Sequence, residues 1–379
     1  MTDLDVFDPP PAVDALPLPI RAEIHLSALR HNVRVLRERA GRAALMGVVK
    51  ADAYGHGVEH VVPVLREEGI PIFAVASVPE AVRLRALGVT EPVLVFGAPL
   101  PEYLPAYAAH DLDVAVTSGE TAEAVLAYPA PLRVHVEVDT GMHRLGVPPA
   151  EAPAVLARLQ ATPHVALVGL WTHFATADEP DPSFAREQTA RLDALLACVD
   201  DTVMVHLANS GALAQVPEAV AGRALVRPGG LLYGIPSSRP VADALPVEPV
   251  MRLVSRVVHV QTVAAGETVS YGRTWRAQAP TRVATVAAGY ADGLPRQLSG
   301  HGAVVVRGRR YPIAGRVCMD MLMLDLGSPG GPGAEVEVGD AAILFGPGGP
   351  GLLETAEAAG TITYALTAGL TARVPRVAV

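Results

Sequence analysis

From residue 43 to about residue 230 the chain repeats one rhythm, a short apolar, β-branched run followed by an alanine-rich amphipathic stretch long enough for a helix. The runs are 47-GVVK-50, 72-IFAVAS-77, 93-VLVFG-97, 113-DVAVTS-118, 132-LRVHVEVD-139, 167-LVGLWTHF-174, 203-VMVHLANS-210 and 224-ALVRPGG-230. A strand that returns parallel to its predecessor needs a crossover of helical length, so this alternation predicts βα units rather than hairpins. Eight such units predict a closed (β/α)8, TIM-like barrel. The intervening stretches carry helix punctuation: 79-PEAVRLRALG-88 has Pro at its start and Gly at its end, and 183-SFAREQTARLDALLACV-199 has apolar residues at helical spacing. An open dinucleotide-binding sheet would need a G-x-G-x-x-G turn after a strand, and no run is followed by one.

After about residue 245 the rhythm breaks into strand-like runs with turn signals and hardly a helix: 250-VMRLVSRVVHVQTV-263, 282-RVATVAAGY-290, 303-AVVVRGRRYPIAG-315, 321-MLMLDLG-327 and 335-EVEVGDAAILFG-346. The expected division is a loose leader over 1–19, acidic and proline-rich, a barrel over 20–246, and a mainly-β domain over 247–379. The glycine- and proline-rich stretches 327–333 and 346–351 read as surface loops. A net charge of −9 disfavours non-specific nucleic-acid binding and leaves a small molecule as the expected partner. No apolar run is long enough to cross a membrane, and Cys198 and Cys318 are too isolated for a disulfide framework. Cytoplasm is the expected compartment.

Barrel enzymes carry their chemistry at the C-terminal ends of the strands. There the runs place Lys50, in a chain sparing with lysine; Glu137, Asp139 and Arg144; His173; Asn209 and Ser210; and Arg227 with Gly229 and Gly230. Singly, each has an ordinary explanation as a solvated cap, a satisfied structural group or a surface ion pair. Together they gather on one rim, where unrelated surface residues would scatter. The loops after strands seven and eight of such barrels often bind phosphate, and here they offer a hydroxyl and two glycine amides. With a lysine at a strand end, that pattern points to a phosphate-bearing cofactor that bonds to an amine, pyridoxal 5'-phosphate. Tyr54 could add a hydroxyl to the phosphate or simply pack on the rim.

These residues carry a specific resemblance. The segments 48-VVKADAYGHG-57, 138-VDTGMHRLG-146, 170-LWTHFATADEP-180, 206-HLANSGA-212, 226-VRPGG-230, 270-SYGRTW-275, 287-AAGYADGLPR-296, 315-GRVCMDM-321 and 373-RVPR-376 make the chain, from about residue 20 onward, similar to the alanine racemase family, pyridoxal-phosphate enzymes of fold type III. The resemblance implies that Lys50 holds the cofactor and acts as one base, while Tyr271, supplied by the partner subunit of a homodimer, acts as the other. Removing a proton from one face of a planar carbon and returning it to the other requires two flanking bases. It further implies that Arg227 faces the pyridine nitrogen, with His173 in the Arg227 and Tyr271 network. Tyr54, Asn209, Ser210, Gly229 and Gly230 would bind the cofactor. Arg144 would bind the substrate carboxylate with help from the Met319 N–H of the other subunit, and Tyr290 and Asp320 would line the partner's side of the entrance. The product would be D-alanine for peptidoglycan. Another small amino acid such as serine is an alternative substrate, and a non-catalytic pyridoxal-phosphate protein is an alternative role, though one with no use for 270-SYGRTW-275.

Two departures from the family pattern stand out. Glu137 occupies a position where many relatives have a lysine, often carbamylated, so it is expected to present its own anion to Arg144. Ala372 precedes 373-RVPR-376 where some relatives carry a phosphate-binding tyrosine, so phosphate binding is expected to rest on fewer hydroxyls, with no role carried over to Tyr364.

Overall fold

In a computed structural model, which describes residues 19–379, two sheets organise the chain. The expected leader therefore lies, but for Pro19, outside the described residues. The first strand, β1 (Arg21–Ile24), is followed by eight short strands: β2 (Ala44–Val48), β3 (Ile72–Val75), β4 (Val93–Val95), β5 (Asp113–Val116), β6 (Leu132–Glu137), β7 (Val165–Trp171), β8 (Met204–His206) and β9 (Leu225–Val226). Strands β2 to β9 form one parallel sheet in the order β8-β7-β6-β5-β4-β3-β2-β9. Backbone bonds from Ala224 N–H to Val205 O (3.3 Å) and from Arg227 N–H to Ala208 O (2.8 Å) cross the remaining seam. The eight sequence runs are thus the eight staves of a nearly closed barrel. Strands β3 and β5 are buried along their whole length, as expected where helices cover one face and the barrel interior the other.

The helices follow the local signals closely where a cap is present. Helix Val78–Ala86 starts on the Ser77/Glu80 capping box, has Pro79 in its first turn, and stops before Gly88, whose φ is +82°. The stretch 183–199 does not form one helix. It ends as an α-helix at Asp193 and resumes as a short 3-10 turn, Leu196–Cys198, after a bend at Ala194 and Leu195.

The second sheet also has eight strands, mostly antiparallel, built around the long β10 (Met251–Val263). Its strand Leu322–Gly327 buries Leu322, Leu324 and Leu326 alternately, the period-2 pattern of a sheet with one face in the core. Two findings change the expected division. Strand β1 belongs to this sheet: it pairs antiparallel with β10, Ala22 opposite Leu253, and parallel with the last strand, Arg376–Ala378. The barrel therefore begins with helix Leu26–Ala40 rather than at residue 20. A four-residue strand names no partner by itself, and this one finds its partners more than two hundred residues away. The β domain also holds two short helices, Leu352–Ala358 and Thr363–Ala368, and the second packs against the segment that carries Lys50.

Candidate active site

Lys50 is the only lysine in the 379 residues. It lies one residue beyond the end of β2, after Val49, and opens a left-handed turn: Ala51, Asp52, Ala53 and Tyr54 have φ of 52°, 53°, 55° and 54°. Left-handed backbone is disfavoured for side-chain-bearing residues by about 1–2 kcal/mol each, so surrounding contacts must hold it. Ala51 N–H donates to Glu80 Oε1 (2.7 Å), Val58 N–H to Asp52 Oδ1 (3.0 Å), and Arg376 Nε–H to Gly55 O (2.9 Å). Gly55, at φ +82°, has no room for a side chain, because a Cβ would overlap the Thr367 carbonyl. The turn brings Lys50 Nζ to 6.0 Å from the centre of the Tyr54 ring. Burial, then the charges of Arg144 and Arg227, lower the lysine's pKa from its ordinary value.

Two glycines and the hydroxyls of two tyrosines meet beside this turn. The Tyr54 hydroxyl lies where a side chain on Gly229 would be, and the Tyr364 ring and hydroxyl fill the same position at Gly230. Tyr54 and Tyr364 pack with ring centres 5.6 Å apart, and both phenols are pushed up by burial, Tyr364 to about 12. Both remain neutral hydroxyl donors. Ser210, at the start of the short helix Ser210–Gln215, accepts from Leu231 N–H through Oγ (3.2 Å). Asn209 caps that helix, its side-chain oxygen accepting from Ala212 N–H (2.9 Å). Tyr364 is the residue that the sequence reading missed. It is carried on the Thr363–Ala368 helix, which only the tertiary fold lays against the glycines.

On the other flank, Arg227 is buried over the Trp171 indole at 4.8 Å. Its Nη groups donate to His206 O (2.6 Å), Thr172 O (2.8 Å) and Leu207 O (3.0 Å), and Nη1 also meets His206 Nδ1 at 3.0 Å. Burial lowers this guanidinium to about 9, which leaves it charged at neutral pH. Because arginine only donates, His206 Nδ1 must accept, which places the ring proton on Nε2. That proton points to His135 Nδ1 (3.0 Å), so His135 in turn donates from Nε2 to Asp113 Oδ2 (3.3 Å). Arg133 Nε–H closes the chain on Asp113 Oδ1 (2.6 Å). Gly169 makes the room: a Cβ there would overlap the His135 ring. His135 and Glu137 alternate on β6, which would have shown their common inward face, but the His135–His206 pairing is a fact of the closed barrel.

His173 sits at the rim with its pKa well below normal, from burial first and then from Arg227, Arg144 and Lys50. Among the described residues its ring makes no hydrogen bond with Arg227, and the arginine's imidazole partner is His206. Arg144 rides on the loop after β6, which Asp139 shapes by accepting from Gly141 N–H (3.0 Å) and His143 N–H (2.9 Å). Glu137 is buried, its Oε2 has no hydrogen-bond partner, and it forms no ion pair with Arg144 among the described residues. The expected direct contact is absent, as the short glutamate stem explains. Burial raises its carboxyl to about 7 even though Arg227 and Arg144 pull it down.

The remaining expected residues gather on the β domain. Tyr271 opens a 3-10 turn and is 71% exposed; Met319 is 52% exposed. Ser270 Oγ donates to Arg316 O (2.7 Å), and Tyr290 N–H donates to Cys318 O (3.0 Å), so the three segments form one surface. Asp320 is held by Arg373 Nη1 (2.8 Å). The Tyr271, Tyr290, Met319 and Met321 side chains thus leave an apolar, aromatic patch open.

The fold and rim define a barrel with one amine that feels the charge of two arginines, beside two glycines faced by neutral tyrosine hydroxyls. Known proteins narrow this class. Residues 24–237 match the alanine racemase N-terminal domain and 250–378 the alanine racemase C-terminal domain. The chain is 42% identical to the alanine racemase of Chlorobaculum tepidum, over 94% of this chain and 95% of that one. It is likewise 42% identical to that of Mycobacterium tuberculosis, over 94% of each. It superposes on the biosynthetic alanine racemase of Pseudomonas aeruginosa with a TM-score of 0.87 at 39% identity, covering 96% of this chain and 100% of that chain. The chain belongs to the alanine racemase family, and it is an amino-acid racemase.

Proposed function

We propose that this racemase interconverts L- and D-alanine with pyridoxal 5'-phosphate, using Lys50 and the Tyr271 of a second copy of the chain as bases on opposite faces of the substrate carbon. The observation that carries this reading is the only lysine, half-buried within the influence of two arginine charges, on the turn whose Tyr54 hydroxyl faces Gly229. The residues fit the cofactor: Tyr54, Tyr364 and Ser210 supply hydroxyls, and Gly229 and Gly230 supply close backbone without side chains. When bound, pyridoxal phosphate supplies an aldehyde that condenses with amines and a ring that spreads negative charge from the attached carbon.

The chain's own groups account for the rest. Burial and the two cations favour neutral Lys50, ready to take a proton from Cα and to return one. Arg227 has committed both Nη groups to carbonyls, so Nε–H is the donor left for the ring nitrogen. A fixed cation there keeps that nitrogen unprotonated, which confines charge near Cα and favours proton return over decarboxylation or transamination. The Arg144 guanidinium and the Met319 N–H make no hydrogen bond among the described residues, and Arg144 of one copy with the Met319 N–H of the other suits the substrate carboxylate. Tyr271, so exposed, has no cofactor-facing wall of its own, which supports a homodimer whose subunits exchange this residue. The D-alanine formed would serve peptidoglycan.

The test begins with borohydride reduction of the purified protein after incubation with pyridoxal phosphate. One cofactor should be fixed per chain, on the peptide containing Lys50. Deuterium exchange at Cα across L- and D-amino acids then identifies the substrate. For the shared site, Lys50→Ala and Tyr271→Phe should each be inactive, and mixing and reassembling them should recover about a quarter of wild-type activity, since half the dimers then hold one intact site. No fixed cofactor, or exchange on serine but not alanine, would overturn the cofactor or the substrate assignment respectively.

A further inference from the structure

The opening motif contains a buried group that the reaction does not use. His56 is fully buried, and its Nδ1 lies 3.0 Å from Ala53 O and 3.1 Å from Tyr54 O. Both neighbours are carbonyls, which only accept, so Nδ1 carries the ring proton. Burial holds the imidazole down to about 4, so it keeps one proton at neutral pH, and the bare Nε2 has no partner. The ring packs on Tyr233 at 4.7 Å; Tyr233 in turn packs on Tyr54 at 5.2 Å and donates its hydroxyl to Val48 O (2.9 Å).

Resting on the function proposed above, we propose that His56 is a positioning residue: its Nδ1–H pins the left-handed turn that presents Lys50 and Tyr54 to one cofactor. Four successive side-chain-bearing residues at positive φ do not hold themselves. Glu80 and Asp52 accept from N–H groups at the flanks of the turn, and Arg376 reaches Gly55 at its end. Among the described residues, only His56 donates from a side chain to carbonyls inside it. Lys50 and Tyr54 are four residues apart across this turn, so unwinding it would separate the amine from the phosphate-binding hydroxyl.

The test compares His56→Leu, which keeps a branched side chain without a donor, with His56→Asn, whose amide nitrogen branches from Cγ as Nδ1 does. Cofactor-stripped proteins are titrated with pyridoxal phosphate by fluorescence quenching, and holoenzymes are assayed with alanine. His56→Leu should weaken cofactor binding at least about 10-fold and lower kcat about 10- to 100-fold with KM changed less than about 3-fold. His56→Asn should stay within about 3-fold of wild type. Ala51→Gly, at an exposed position that glycine occupies without strain, should recover part of the loss in His56→Leu. Wild-type-like binding and turnover by a folded His56→Leu, or an equal loss in His56→Asn, overturns the proposal. If His56→Leu does not fold, the same comparison is made in the Ala51→Gly background, where binding equal to that of Ala51→Gly alone overturns it. Failure of the wild type to bind pyridoxal phosphate would instead sink the functional reading on which it rests.

Discussion

Replacing Glu137 with glutamine should stabilise the cofactor-free protein above neutral pH and leave it unchanged near pH 4. In the folded chain, burial raises this carboxyl from 4.5 to about 7, against the pull of Arg227 and Arg144. A raised folded pKa means that the folded state retains a proton that the unfolded chain has already released. Stability therefore falls as pH rises from about 4.5 to about 7, and stays at the lower level above it. At about 1.4 kcal/mol per tenfold change in proton affinity, the full effect is about 3 kcal/mol. Glutamine resembles the protonated acid in shape and is never charged, so the variant should escape that loss. The assay is urea unfolding of wild type and Glu137→Gln at one protein concentration, from about pH 4 to about pH 8.5. The difference should grow with pH and level off near 3 kcal/mol. A flat difference, or one that favours the wild type at high pH, would refute the reasoning by showing that the arginines outweigh burial. Kinetics then decide the other expectation: if Glu137→Gln leaves kcat and KM unchanged, Glu137 does not act as an anion on Arg144.

Arg227→Met should leave the Thr172, His206 and Leu207 carbonyls without their donor, costing about 3 kcal/mol at roughly 1 kcal/mol each, read by urea midpoint. Gly169→Ala drives a methyl into the His135 ring; thermal unfolding should show a loss of several kcal/mol, on the order of a severe core overpacking. Tyr364→Phe keeps the ring over Gly230 but removes its hydroxyl, and should weaken pyridoxal-phosphate binding by about 10-fold, the worth of one hydrogen bond to a charged group, with little change in Tm.

Much of the site was legible in advance because a parallel barrel imposes a rule that links sequence position to location. Residues at the ends of eight alternating runs must share one rim, so Lys50, Glu137, Arg144, His173, Ser210, Arg227 and the two glycines could be grouped before their contacts were known. Other members of the site obey no such rule. Tyr364 reaches Gly230 because a helix of the other domain docks on the lysine turn, and nothing within a few residues of Tyr364 encodes that docking. The strand-end position of Asn209 placed it on the rim but did not show that its side-chain oxygen caps the following helix, because the Ala212 N–H comes within reach only once that helix forms.

The sequence by itself determined the periodicities, and with them the barrel, the β domain and the single lysine at the end of the first barrel strand. These are local properties: the alternation of apolar runs, the Ser77/Glu80 cap and the glycines that end helices act over a few residues. Only the tertiary structure decided that β1 leaves the barrel for the distant sheet, that His206 and His135 link Arg227 to Asp113, and that four residues after Lys50 wind left-handed. Each depends on contacts between segments far apart in the chain, or on backbone strain that such contacts sustain, and neither leaves a signature in the neighbouring residues.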